Sequence, residues 1–486
     1  KIPLRTSRCA GATGWRCACA SWRAPQPPAT PRLVEVAADL TPDQKRAVFR
    51  LGLPGVRFQS RYKRYYPQGA LGAHVVGHTE RGRGGVMGLE AALERTGGAD
   101  EAAWSNRGAP VAASLDMRVQ RIVEATLADA IAEFSARAGW ALVMDVATGE
   151  IIALSSLPDF DPNSPGAFPA DARRNRATYD RYELGSMFKA LTAASALDAG
   201  VAEERTMFDA RGVYKIADRT ISDFHGENRV LTLSEVVQYS SNIGAAQLAA
   251  LLGVDRQRAG LDRLGLFDPV AIELLENRPP QLPLKWGPVE AATVSYGHGI
   301  SVTPLHMIAA YAAVVNGGQY VTPTFFKTAA PRSAQAAFSP ATSIAMRRIL
   351  RRVVTDGTAS KAEAPGYFPI GKTATADKPV AGAYAKNARI SSFVGAFPGH
   401  APRYAVLVSL DEPQPTKATF GYATAGWNAA PAFATIVTQI APVLGVMPVD
   451  ETEALAGFFP EFQKQAALAP ALESRAEASA DGAGSP

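Results

Sequence analysis

The sequence predicts an α/β protein of the α+β type. One antiparallel sheet is assembled from both ends of a large domain, a helical insert separates the two halves, and a small amino-terminal module stands ahead of it. Three observations predict this. Two β runs around a turn, "GWALVMDVATGEIIALSS" at 139–156, come early. Three more, "FPIGKTATA" (368–376), "ISSFVGAFP" (390–398) and "RYAVLVSLDEP" (403–413), come late. The stretch 200–350 between them is mostly of helical period. Adjacent connections and unknotted topology then bring the late strands beside the early hairpin.

Taken in order, residues 1–31 combine Cys, Arg, Trp and "APQPPATP" without a period of 2 or 3.6, and are expected to be irregular or disordered. Residues 32–110 read as a small module of their own. It opens with a helix in "DLTPDQKRAVFRLGL" capped at Thr41, continues through a basic, aromatic, extended stretch, and ends with glycine-marked turns before another helix. The large domain is expected over 111–450. It starts with the amphipathic helix "DMRVQRIVEATLADAIAEFSARA", followed by the hairpin whose Gly149 supplies the positive φ of a tight turn. A helix beginning near Ser186 ends at Gly200, and "NAAPAFATIVTQIAPVLG" supplies the last apolar helix. Residues 451–486 are expected to be a mostly disordered tail.

The 486 residues exceed one ordinary domain, and 47% apolar with 20% charged residues is ordinary globular usage. The net charge of +5 hides an asymmetry: residues 1–66 hold thirteen Lys/Arg against three Asp/Glu, a net +10, leaving −5 for the rest. A basic segment of that kind fits an anionic polymer or membrane surface, or a solvated tail, and argues against nucleic-acid binding by the body. Cys9, Cys17 and Cys19 are the only cysteines, which removes a thiol nucleophile, a structural zinc and a disulfide framework from the body. A thiol-free body is compatible with an oxidising compartment. The first methionine is Met87, so the sequence is not read as a complete translated product from its own start codon, and it leaves open an amino-terminal signal or anchor.

"ELGSMFKAL" (183–191) places Ser186 and Lys189 on one face of a helix start. A serine needs a base to become a nucleophile, and a lysine is that base only when neutral; the apolar neighbours Met187, Phe188 and Leu191 make the necessary burial plausible. By itself the pair favours a capping serine beside a solvated lysine. The same spacing recurs in "SRYK" (60–63), a cationic run without period. "YSSNIG" supplies Ser240 and Asn242 between two helical runs, as a hydroxyl to relay a proton and an amide to hold a carbonyl, or as a turn capping the next helix. "GKTATA" puts Lys372 and Ala374 on one face of a strand and Thr373 and Thr375 on the other. Its edge can pair with an extended peptide, its hydroxyls can grip a carboxylate, and Lys372 adds the positive potential that keeps Lys189 neutral. His74 and His78, in "HVVGH", lack the glutamate of a metal-binding pair and read as structural in an extended stretch; His298 and His306 also lack ligand partners.

Ser-x-x-Lys, Ser-x-Asn and Lys-Thr-x-Thr, in that order and 54 and 132 residues apart, resemble the motif set of the penicillin-binding protein and serine β-lactamase superfamily. The resemblance covers roughly residues 50–447. "RYYPQGALGAHVVGHTERGRGGVMGLEAALE" is similar to the linker, or dimerisation, module of class B penicillin-binding proteins. "SYGHGISVTPLHMIAAYAAVVNGG" and "GYATAGWNAAPAF" resemble the division-specific members, the septal peptidoglycan D,D-transpeptidases.

The resemblance implies that Ser186 is acylated by the D-Ala-D-Ala end of a peptidoglycan stem peptide, with Lys189 as base and Ser240 and Asn242 in proton relay and substrate placement. It further implies that Lys372 shapes the electrostatics, that Thr373 and Thr375 bind the carboxylate, and that the backbone N–H groups of Ser186 and Thr375 form the oxyanion hole. It implies β-lactams as inhibitors, and no metal or cofactor. Its partners would be lipid-linked glycan strands, a membrane-embedded glycan polymerase and division proteins, and its place the periplasmic face of a bacterial inner membrane. The chain departs from the family pattern at Leu184, where proline is usual, and at Ala374, where glycine is usual. Alternatives are an elongation-specific transpeptidase, a D,D-carboxypeptidase or β-lactamase, or a catalytically weak scaffold of the division machinery.

Overall fold

The computed structural model describes residues 34–60, 63–80, 83–97, 110–331, 333–380 and 383–459. The chain divides into two units, Lys1–Lys63 and Arg64–Pro486. In the first, Thr41 starts helix α1 (Pro42–Arg50) through a reciprocal capping box with Gln44. No side chain of α1 is buried within the unit. The expectations for 1–31 and for 460–486 fall outside the described residues.

The second unit opens within the stretch 32–110 that reads as a small module, and residues 64–97 make contacts with the body. Tyr66 and Asn163 exchange backbone–amide hydrogen bonds at 2.9 Å, and Gly88 N donates to Glu276 Oε1 at 3.1 Å. The segment forms α2 (Ala73–Val76), the hairpin β1 (His78–Glu80) and β2 (Gly84–Met87), and α3 (Gly88–Gly97). "HVVG" is therefore a helical turn rather than extended, because Gly72 and Gly77 at φ +71° and +75° close both of its ends. His74 is buried there and donates from Nε2 to Ala172 O at 2.8 Å, while His78 packs edge-on against Phe160. Among the described residues no group of His, Cys, Asp and Glu is arranged to hold a metal ion.

The body begins with α4 (Met117–Glu133), capped by Asp116, and the hairpin β3 (Ala138–Asp145) and β4 (Ile151–Leu157). The helical insert follows. It comprises α5 (Met187–Asp198), the short strands β5 (Met207–Asp209), β6 (Tyr214–Ile216), β7 (Arg219–Ile221) and β8 (Val230–Thr232), then α6 (Leu233–Gln238), α7 (Asn242–Leu252), α8 (Val254–Arg263), α9 (Pro288–Val294) and α10 (Pro304–Val315). Two more short strands, β9 (Gln319–Val321) and β10 (Ala334–Ala336), precede α11 (Pro340–Thr355). The chain then returns as β11 (Ile370–Val380), β12 (Ala383–Phe397) and β13 (Tyr404–Asp411), and closes with α12 (Ala429–Val443).

The five long strands form one antiparallel sheet in the order β11-β12-β13-β3-β4, so the late strands join the early hairpin through β13 and β3. Helices α4 and α12 pack on one face, and α5, α10 and α11 on the other. The core between the layers holds Trp140, Phe188, Tyr311, Phe393 and Phe433, all removed from solvent. Each such side chain contributes about 1.5–3 kcal/mol of burial.

Two elements extend past their expected ends. The β11–β12 ladder shifts register at Asp377/Pro379 and continues to Val380, and Pro379 is tolerated because β11 is an edge strand. The expected tail opens with a helix, α13 (Glu451–Phe458), capped by Asp450 and anchored by buried Phe458. No helix among the described residues is long and apolar enough to cross a membrane.

Candidate active site

Ser186 occupies the N-cap position of α5 with φ −59° and ψ −6°, and its side chain makes no capping hydrogen bond. Its hydroxyl is thus available to Lys189, one turn further on. Lys189 is buried, and its Nζ lies 3.0 Å from Ser186 Oγ, 3.0 Å from Ser240 Oγ and 2.5 Å from Ser240 O. Once neutral, the amine can give two N–H hydrogens to the Ser240 oxygens and turn its lone pair to the Ser186 hydroxyl.

The electrostatics favour that neutral state. Burial holds Lys189 well below its usual 10.5, the Lys372 ammonium pushes it further down, and Asp223 acts in the opposite sense. Lys372 is itself fully buried on β11, which lowers it to about 7; its Nζ donates to Thr373 O at 3.1 Å.

Ser240 sits between α6 and α7 in a left-handed conformation, φ +62°, which is uncommon for serine. Ser241 caps α7 by accepting from Gly244 N at 2.9 Å. Asn242, the first residue of α7, donates its amide to Ser222 O at 3.0 Å.

β11 is the edge strand that completes the cluster, and its alternation is as the sequence predicts. Lys372, Ala374 and Ala376 face the segment before the nucleophile: a Cβ built on Gly185 would lie 3.3 Å from the Ala376 methyl and 3.9 Å from that of Ala374. On the opposite face Thr373 Oγ1 is 2.7 Å from Thr358 Oγ1, and Thr375 Oγ1 accepts from Ala425 N at 3.1 Å. Leu184, in the family's proline position, is buried in the core.

Sequence reasoning missed four residues here. Asp223 accepts from the Ser241 hydroxyl and from the Asn242 and Ile243 N–H groups. Thr358 meets Thr373. Gly297, at φ +84°, lets its loop approach so closely that a Cβ would lie 2.2 Å from Gly185 O. His298, lowered by burial, lies within electrostatic reach of Glu183, Lys189 and Asp377. Only the "YGHG" glycines hinted at any of them. A separate open hollow of about 500 Å³, lined by Val146, Asn316, Arg347 and Pro402 among others, shares no residue with this cluster.

Comparison with known proteins decides the family. Residues 139–438 match the penicillin binding protein transpeptidase domain. The chain belongs to the penicillin-binding protein transpeptidase family. It is similar to the probable peptidoglycan D,D-transpeptidase FtsI of Caulobacter vibrioides, at 41% identity over 423 residues, 85% of this chain and 71% of the relative. The transpeptidase domain of Burkholderia pseudomallei penicillin-binding protein 3 superposes with TM-score 0.63 and 33% identity over 70% of this chain and 98% of that one. Penicillin-binding protein 3 of Mycobacterium tuberculosis, solved with aztreonam, gives TM-score 0.70 and 26% identity over 79% and 91%. Within the penicillin-binding proteins the chain is therefore of the class B, FtsI-like type, and its sheet and helical insert are those of the transpeptidase domain.

Proposed function

We propose that this chain is a serine peptidoglycan D,D-transpeptidase of septal cell-wall synthesis, with Ser186 as its nucleophile. The observation that carries this reading is the placement of a buried, charge-suppressed Lys189 Nζ 3.0 Å from Ser186 Oγ. The names of the FtsI relatives supply the substrate class.

Lys189 takes the Ser186 proton as Oγ attacks the carbonyl of the penultimate D-alanine. The oxyanion that forms is received by the N–H groups of Ser186 and Thr375, aided by the N-terminal end of α5. When the C–N bond breaks, the proton held by Lys189 passes through the Ser240 hydroxyl to the departing D-alanine nitrogen. An amine of a second stem peptide then attacks the ester and yields its proton to Lys189. The new amide is the cross-link, and Ser186 regains its hydrogen. Thr373 and Thr375 present hydroxyls to the terminal carboxylate, Lys372 supplies positive potential, and Asn242 orients the peptide beside β11. β-Lactams acylate the same serine.

This chemistry belongs on the cell-wall side of the membrane, with a glycan polymerase and division proteins as partners. A fluorescent penicillin is expected to label the wild-type chain and not Ser186→Ala. Persistent labelling of that variant would overturn the assignment.

A further inference from the structure

Ser240, whose oxygens occupy two of the three Lys189 contacts, sits in a left-handed turn that serine rarely adopts. The residues on either side of Ser240 are not symmetric. Before it, α6 ends at Gln238 with its last bonds satisfied inside the helix. After it, everything converges on one side chain from elsewhere in the chain. Asp223 follows β7, where Ile221 is buried. Its Oδ2 accepts from Ser241 Oγ at 2.7 Å, and its Oδ1 accepts from Asn242 N at 2.5 Å and Ile243 N at 3.0 Å. The carbonyl beside it, Ser222 O, takes the Asn242 amide at 3.0 Å. Ser241 also accepts from Gly244 N, so its hydroxyl hydrogen requires an acceptor, and Asp223 is that acceptor.

We propose that Asp223 is a positioning residue for acylation: by clamping Ser241 and the first N–H groups of α7, it fixes the Ser240 turn that delivers two oxygens to Lys189. This rests on the assignment of Ser186 and Lys189 made above. A carboxylate accepting two backbone N–H groups at a helix N-terminus and one hydroxyl gives a charge-assisted anchor stronger than neutral hydrogen bonds. Ser240 N and Ser241 N also bond back to Val237 O and Val236 O at 3.3 and 3.0 Å, which closes α6 through the left-handed turn. Asp223 holds the other side of that turn, and without it the start of α7 is free to shift and carry the Ser240 oxygens away from Lys189.

The same carboxylate acts on Lys189 through space. Among the described residues, the charged or titratable groups that act on Lys189 are Lys372 on β11, Asp223 after β7, and His298 on the loop between α9 and α10. Asp223 opposes Lys372, so removing its charge while keeping its shape makes Lys189 a still weaker base. The rate of acylation then persists to lower pH.

The test is the acylation kinetics of fluorescent penicillin across pH for Asp223→Ala and Asp223→Asn. Asp223→Ala is expected to lower the rate at saturating penicillin by at least about tenfold, the scale of a small misplacement of a catalytic group. Asp223→Asn, whose amide can still accept from the α7 N–H groups, is expected to recover most of that rate with an acid limb at lower pH than wild type. Wild-type acylation by Asp223→Ala, or an acid limb of Asp223→Asn that coincides with wild type, overturns the proposal. If Asp223→Ala fails to fold, the Asp223→Asn profile decides alone, since a purely structural role lowers the yield without moving the limb. Ser186→Ala run in parallel separates the two claims: labelling that persists there defeats the nucleophile assignment, whereas an inert Ser186→Ala with an unmoved Asp223→Asn limb defeats only this inference.

Discussion

Replacing Lys372 by methionine should abolish rapid acylation and stabilise the fold at the same time. Lys372 lies fully buried on β11, and burial lowers it from 10.5 to about 7. At 1.36 kcal/mol per tenfold change in proton affinity, that gap corresponds to about 5 kcal/mol charged against the folded state. Methionine matches the lysine stem and carries no charge. It forfeits the hydrogen bond to Thr373 O, which contributes about 1 kcal/mol. The net expectation is a gain of about 4 kcal/mol.

The gain depends on pH in a definite direction. Below about 7 the lysine is protonated in both folded and unfolded chains, and the destabilisation is complete. Between about 7 and 10.5 the folded chain has released a proton that the unfolded chain retains, so wild-type stability rises with pH. Above 10.5 the advantage of methionine disappears. Denaturant unfolding of both proteins at pH 6.5 and at pH 10 measures this, and penicillin labelling measures the activity. Loss of the Lys372 charge also lets Lys189 hold its proton more tightly, so the acid limb of any residual acylation moves to higher pH. A variant no more stable than wild type at pH 6.5, or one that acylates at the wild-type rate, would refute the reasoning.

Three further outcomes follow from the same geometry. Ala374→Gly removes the methyl turned toward Gly185; acylation measured by stopped-flow should rise a few-fold, at a stability cost of about 0.5–1 kcal/mol for glycine in a strand. Gly297→Ala drives a Cβ to 2.2 Å from Gly185 O at a positive φ, so the segment before Ser186 must shift; penicillin labelling should fall at least about tenfold and the melting temperature should drop. Acylation by the wild-type enzyme should fall as pH decreases through the lowered range of Lys189 and stay level far below an ordinary lysine value, whereas a fall already beginning near 10 would mean an exposed, ordinary base.

Much of this site was legible in the sequence because its strongest elements are local. Ser186 and Lys189 share a helix turn, Lys372 through Thr375 share a strand, and apolar runs of strand length announce the sheet. What stayed hidden is set by distant approach. Asp223 reaches Ser241 across 18 residues of loop and short strand, and Thr358 reaches Thr373 across 15. Neither carries a pattern of its own. The left-handed turn at Ser240 and the helical turn at His74 are fixed by their neighbours rather than by residue type. The late part of the β11–β12 ladder includes Pro379, which masks its alternation. Helix α13 was lost in a composition that resembles the tail after it.

The most direct test of the account is to treat the wild-type chain with benzylpenicillin and map the adduct by mass spectrometry. One β-lactam per chain, bound through Ser186 in the peptide that carries Lys189, is the predicted result. An adduct on any other residue, or none at all from folded protein, would contradict it.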